Sequence, residues 1–273
     1  MGKYGKSVLI WIFAVVFTGL TAYYQRTTGP TYPVRGSLEI DGQKVKYRLV
    51  RSEESISPAE VIVKNAPAGL EGVVKFKRYN IDEPWTIVNF SPSEENLSAW
   101  LPKQPPAGKL EYFAELTYKG VTYKLNEDPV VIRFTGPVPI YILAPHVFFM
   151  FLAMLFSART GIEAVLKRKK TKVLAFYTTL FFFIGGMILG PIVQKYAFDA
   201  YWTGWPFGHD LTDNKTLVAF VAWLVAYLRL RKNENNRGWA IAAAIILLLV
   251  YMIPHSMFGS ELDYSTGDIN TGN

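Results

Sequence analysis

The sequence predicts a membrane α-helical protein with five transmembrane helices, the last four forming a bundle. An exported all-β, immunoglobulin-like sandwich is inserted after the first helix. Three observations predict this class. Half of the 273 residues are hydrophobic and 15% are aromatic, yet the apolar residues gather in runs instead of alternating with polar ones. One long stretch, residues 25–136, breaks that habit and reads as short alternating strands. Basic residues cluster beside the apolar runs, where they set the orientation of membrane helices.

Composition also excludes several functions. The chain has no cysteine, which removes disulfides, thiolate metal sites, iron–sulfur clusters and c-type haem attachment. The +7 net charge does not point to nucleic acid, because the cations flank apolar runs.

Residues 1–24 hold an apolar run behind Lys3 and Lys6. Leu20-Thr21-Ala22 offers a signal peptidase only one small residue, so an uncleaved signal anchor with a cytoplasmic N-terminus is expected. Residues 25–136 follow as the exported domain. Leu38 and Ile40, then Val45, Tyr47 and Leu49, alternate on either side of Asp41-Gly42. Asp-Gly between alternating runs predicts a hairpin, since a type I′ turn needs positive φ at both central positions. Further strands are expected over 60–64, 72–79, 85–90, 109–118, 121–125 and 130–134, with a second tight turn at Lys119-Gly120. Seven or eight such strands predict a sandwich. With no histidine and nearly balanced charge, the domain reads as a docking module for other membrane or envelope proteins.

Residues 137–258 are expected to form the four-helix membrane bundle. The first of its helices, 138–158, leaves into Arg159, Lys167, Arg168, Lys169, Lys170 and Lys172, a cytoplasmic signature. Residues 161–170 are expected either to lie on the membrane surface as an amphipathic helix or to be a basic solvated face. The next helix, 173–193, carries Gly185, Gly186 and Gly190 for close packing, and Pro191 is expected to end or kink it. A helix from Leu211 to Leu230 has the roughly 20 residues a bilayer requires. The last, from Trp239 to about residue 258, returns outward. Residues 259–273 form a polar exported tail. The protein is thus expected in the inner (plasma) membrane, with its β domain and C-terminus on the outer, periplasmic side.

The chemistry concentrates in three histidines. His209 lies in the stretch 194–216, just ahead of Asp210, Asp213, Asn214 and Lys215; His146 and His255 each follow a proline within an apolar run. The topology puts all three on the outer side. Neutral imidazole is a common transition-metal ligand, so His146, His209 and His255 are expected to hold zinc, copper or iron. Asp213 is the expected fourth ligand or general base, in a redox or metal-assisted hydrolytic centre. Asp213 also reads as a helix-cap carboxylate paired with Lys215. Asp210, Glu261 and Asp263 lie on the same side. The aromatic residues of 196–207 are expected to form an interfacial belt, or a lid over a quinone or lipid. Two alternatives remain open. One is a b-type haem subunit, with His146 and His255 as axial ligands and the glycines making room for porphyrin. The other is a non-catalytic docking subunit of an envelope complex. P-loop, H-E-x-x-H, G-x-S-x-G and dinucleotide-binding motifs are absent from the sequence.

Overall fold

The computed structural model describes residues 3–93, 95–254 and 260–270. It divides into two units. One comprises Thr31–Pro137 with Ser260–Asn270; the other comprises Met1–Pro30, Val138–Gly259 and Thr271–Asn273.

The first unit is built of strands. β1 (Val34–Ile40) and β2 (Gln43–Leu49) form an antiparallel hairpin. Its turn has φ of +54° at Asp41 and +74° at Gly42, as the Asp-Gly pair demands. β3 (Ser52–Glu54), β4 (Ala59–Lys64), β5 (Glu71–Arg78) and β6 (Thr86–Asn89) come next. β7 (Ser91–Ser93), β8 (Asn96–Leu101), β9 (Lys109–Tyr118), β10 (Val121–Lys124) and β11 (Val130–Thr135) complete the set. One sheet has the order β1-β2-β4-β8-β7 and the other β3-β11-β9-β5-β6, with β10 paired to β9. All pairs are antiparallel except β3 with β11.

Alternation puts every second side chain of β9 into the core, where Leu110, Tyr112, Ala114 and Leu116 are buried. They join Val45, Leu49, Val61 and Leu101 of the first sheet and Val74, Ile132 and Phe134 of the second in one cluster. Each large apolar side chain so buried contributes about 1.5–3 kcal/mol. The Tyr112 hydroxyl stays satisfied by donating to Val50 O at 2.8 Å.

Strand β8 was not expected from the sequence. Its Asn96-Leu97-Ser98-Ala99-Trp100-Leu101 run hides a buried face behind small and polar residues. The tail also departs from a merely polar extension. β12 (Glu261–Leu262) and β13 (Ile269–Asn270) pair as a hairpin that belongs to the β unit. Glu261 takes an ion pair with Lys109 at 2.5 Å and accepts from Asn80. Asp263 accepts from the backbone and hydroxyl of Ser265 within its own turn.

Tyr264 fixes this tail. Its hydroxyl accepts from Lys109 N and lies 3.0 Å from both Lys109 O and Gln104 Oε1. Gly108 is required alongside, because a Cβ there would lie 2.8 Å from Pro105 O. Burial pushes the Tyr264 phenol up to about 12. The unfolded phenol titrates near 10, so the folded group is the weaker acid. Its contribution is complete below about pH 10 and disappears as pH rises toward about 12. Tyr264→Phe should therefore cost about 1–2 kcal/mol near neutrality. In thermal unfolding of the full chain, the gap between wild type and variant should close as the pH passes 10.

The second unit is helical. α1 (Lys3–Thr28), α2 (Ile140–Val165) and α3 (Thr171–Phe182) are followed by a π-helical segment (Phe183–Leu189) that leads directly into α4 (Gly190–Phe198). α5 (Leu211–Lys232) and α6 (Arg237–Met252) complete it. Three stretches, Gly5–Thr28, Ile140–Val165 and Thr171–Phe198, are long and apolar enough to cross a membrane. α6 ends at Met252 after 16 residues, short of the expected end near residue 258, because Ile253 takes an extended backbone ahead of Pro254; α5 has 22 residues with charged residues at both ends.

Two further expectations are corrected. α2 does not stop at residue 158 to give a surface helix over 161–170. It continues to Val165, because Arg159 and Glu163 are paired and buried and Gly161 packs closely against Ala244. Pro191, expected to end or kink the third helix, does not end it. The π-helical turns shift the hydrogen-bond register, with Gly190 N donating to Gly185 O five residues back, and Pro191 enters at the first turn of α4.

Candidate functional site

The loop over 199–210 and the first turn of α5, with the π-helical segment beside them, form the candidate site in the helical unit. Gly185 and Gly186 set its geometry. A Cβ at Gly185 would lie 3.1 Å from Met150 N on α2, and one at Gly186 would lie 3.1 Å from Thr216 Cγ2 on α5. The two glycines thus let α2 and α5 approach opposite sides of the same segment. That is the close packing expected of them.

His146 lies on α2, one residue after Pro145. Its Nδ1 is 2.9 Å from Gly185 O, so Nδ1 carries the proton and donates. The imidazole does not use the carbonyl that Pro145 leaves free within α2; it reaches across to the π-helical segment. In a neutral ring Nε2 is then the unprotonated nitrogen, and the Gly185 carbonyl orients the imidazole.

The loop is held from α5. Asp210 caps the helix, accepting from Thr212 N at 2.7 Å and Asp213 N at 3.3 Å. Asp213 turns back to the loop. Its Oδ2 accepts from Thr203 N at 2.6 Å, Gly204 N at 3.0 Å and Thr203 Oγ1 at 3.2 Å. Gln194 of α4 donates to Thr203 Oγ1 at 2.5 Å, which ties α4 into the same cluster. Asn214 Oδ1 accepts from Trp205 N at 2.6 Å. Gly204 leaves no room for a side chain, since a Cβ would meet Asp213 Cβ at 2.6 Å.

Lys215 does not pair with Asp213. Its buried ammonium donates to Ile253 O at 3.0 Å and Pro254 O at 3.3 Å. Those carbonyls lie just past the end of α6, where no helical N–H follows to receive them. One stretch of sequence, Asp210 to Lys215, therefore caps its own helix, clamps the preceding loop and closes the end of α6. The loop's Tyr201, Trp205 and Phe207 are left exposed.

Of the four expected site residues, Asp213 sits in this cluster and His146 on the neighbouring α2. His209 is exposed on the loop, and His255 lies outside the described residues. Among the described residues, no group of three histidine or acidic side chains is gathered to hold a metal. Gln194 and Thr203 were not singled out from sequence. The available signal was the adjacent Asp213 and Asn214 behind a loop rich in glycine and aromatics, since these are the residue types that bind nearby backbone.

A second polar pair lies toward the other end of α2. Arg159 Nη1 and Glu163 Oε2 are 2.5 Å apart and both residues are almost fully buried. Glu163 also faces Arg168 at 3.7 Å and accepts from Lys170 N, joining the end of α2 to the start of α3.

Compared with known proteins, the chain matches no family model and no curated protein.

Proposed function

We propose that this chain is an integral membrane protein of the cell envelope that acts as a non-catalytic docking subunit. Five helices cross the inner membrane, with the N-terminus cytoplasmic and an immunoglobulin-like β domain exported. The observation that carries the non-catalytic reading is the use made of the polar side chains in the 194–216 stretch. Gln194, Asp210, Asp213, Asn214 and Lys215 each bond to groups of the same chain. They build a rigid cap whose exposed aromatics suit a membrane interface.

The membrane topology draws support from the tail. Residues 260–270 pack on the β unit through Tyr264 and Glu261, so the chain must leave and regain that side of the membrane between residues 137 and 260. Four crossings by α2, the α3–α4 helix, α5 and α6 satisfy this.

Docking is assigned to the β6 edge. β6 ends its sheet, and Ile87 on it is exposed, with exposed Trp85 just before it against Phe113. An exposed apolar edge strand is a template for pairing with another chain. The test is a photoreactive residue at position 87 of the full chain in native membranes, with position 122 on β10 as control. A discrete adduct at 87 and none at 122 is expected. Equal labelling at both positions, or none at either, would overturn the docking assignment.

A metal or haem centre is the second reading, favoured by His146. Its carbonyl-fixed tautomer beside a π-helical turn is an arrangement found at functional sites. His209, His255 and Asp213 would supply the remaining ligands or base.

A further inference from the structure

The charge of the β unit is nearly balanced in sum, yet its two sheets carry it differently. On the outward face of the second sheet, cations meet carboxylates: Lys75 pairs with Glu115 at 2.8 Å and Lys77 with Glu111 at 3.3 Å. The first sheet does the reverse. Val45 and Leu49 of β2 and Val61 and Val63 of β4 point into the core. Alternation therefore turns Lys44, Lys46 and Arg48 of β2 and Lys64 of β4 outward, where all four are exposed. Arg35 of β1 is exposed on the same face.

The register sets like charges against each other. Arg35 stands directly opposite Arg48, and Lys46 directly opposite Lys64. Side chains so placed have Cβ atoms about 4.5–5.5 Å apart, and like charges there destabilise a sheet. Among the described residues, no carboxylate forms an ion pair with any of the five cations. Glu39 opposes Lys44 in the register without pairing with it, and Glu60 accepts from Ser98 at 2.6 Å instead. Arg35 also lies over the Tyr32 ring, 5.7 Å from its centroid. The arrangement opposes folding, and a bound anion would offset the repulsion.

The layout narrows the kind of anion. Lys44, Lys46 and Arg48 follow one another along β2 about 7 Å apart, two residues at about 3.4 Å each. Arg35 and Lys64 flank this line on the neighbouring strands, about 4.8 Å to either side. A line of charge on an open sheet face suits a linear polyanion better than a single small ion. No exposed aromatic ring stands among the cations, as stacking on the bases of single-stranded nucleic acid would need. Nor does a large apolar side chain project from the block to enter a bilayer. Ile62, opposite Arg48, is half-buried, and the exposed Trp100 stands on β8 beyond Glu60.

We infer that this face binds a linear phosphodiester polyanion of the cell envelope, laid along β2 so that successive phosphates meet Arg48, Lys46 and Lys44 while Arg35 and Lys64 hold its flanks. Phosphates joined through a glycerol bridge recur at a similar interval to alternate residues of a strand. The inference rests on export of the β unit, which belongs to the proposed function, but not on docking at β6.

The test uses the full chain in nanodiscs of phosphatidylcholine, titrated with lipid-free poly(glycerol phosphate) by biolayer interferometry. Saturable binding is expected, weakening steeply as salt is raised from about 50 to about 200 mM, because each phosphate contact releases a counterion. Lys46→Gln and Arg48→Gln should each lower affinity about threefold, the value of an exposed ion pair, and together about tenfold. Lys75→Gln, on the second sheet, should leave binding unchanged. Both first-sheet variants should also keep or raise the thermal midpoint, since each relieves a like-charge pair, whereas a merely structural role would lower it. Binding that survives in the Lys46→Gln/Arg48→Gln double variant, or that falls equally with Lys75→Gln, would overturn the proposal. So would capture of phosphatidylglycerol vesicles or of a single-stranded oligonucleotide without binding of poly(glycerol phosphate). Failure of the export reading is recognised separately, as protection of the β unit from protease added to intact spheroplasts.

Discussion

Asp213→Ala should be the most damaging single change in the polar cap, costing about 4 kcal/mol of stability. One carboxylate oxygen receives the backbone N–H groups of Thr203 and Gly204 and the Thr203 hydroxyl. Removing it strands two buried donors as well as losing charge-assisted bonds, and each stranded donor costs about 1–3 kcal/mol. The loop over 199–210 should then become accessible to protease while α5, still capped by Asp210, persists. Asp213→Asn retains an oxygen acceptor of the same shape and should cost only about 1 kcal/mol. Thermal unfolding in detergent, with proteolytic mapping of the loop, measures both variants. A ligand or general-base role would instead make the asparagine variant as inactive as the alanine one.

Arg159→Met should rank beside it, with a loss of about 3–5 kcal/mol. The guanidinium and the Glu163 carboxylate are buried together, and a lone carboxylate in that position keeps only the more distant Arg168. Glu163 also receives Lys170 N at the turn into α3, so the α2–α3 connection should loosen as well. Converting both partners, Arg159→Met with Glu163→Leu, removes the stranded charge and should recover much of the loss. The same unfolding measurement on the single and double variants checks this. A double variant no better than the single one would mean that the pair contributes through shape and not through charge.

Much of the β unit was legible because strands announce themselves locally. Asp41-Gly42 and Lys119-Gly120 specify turns with positive φ, and the period-two pattern of residues 109–118 survives as the buried face of β9. β8 escaped notice because Ser98 and Ala99 carry little hydrophobic signal, and their burial is set by β4 and the facing sheet. The long apolar helices were legible from length alone. The π-helical turn was not, since nothing in Phe183–Leu189 distinguishes a widened turn from an α-helical one before His146 and Thr216 pack around it. In the cap, the sequence singled out Asp213 and Lys215 but not their partners. Each bonds to backbone brought in by the fold, Thr203 for one and Ile253 for the other, and backbone partners leave no residue-type signature.

The central claim is that the polar cap at 194–216 is architecture and not a metal or haem centre. The measurement that tests it most directly is elemental analysis, with a visible absorption spectrum, of the full chain purified from metal-replete membranes. Wild type should be measured beside His146→Ala, His209→Ala and His255→Ala. The account predicts no stoichiometric zinc, copper or iron, no haem band, and no difference among the four samples. Stoichiometric metal or haem in the wild type, lost in the histidine variants while the folded chain is retained, would contradict it.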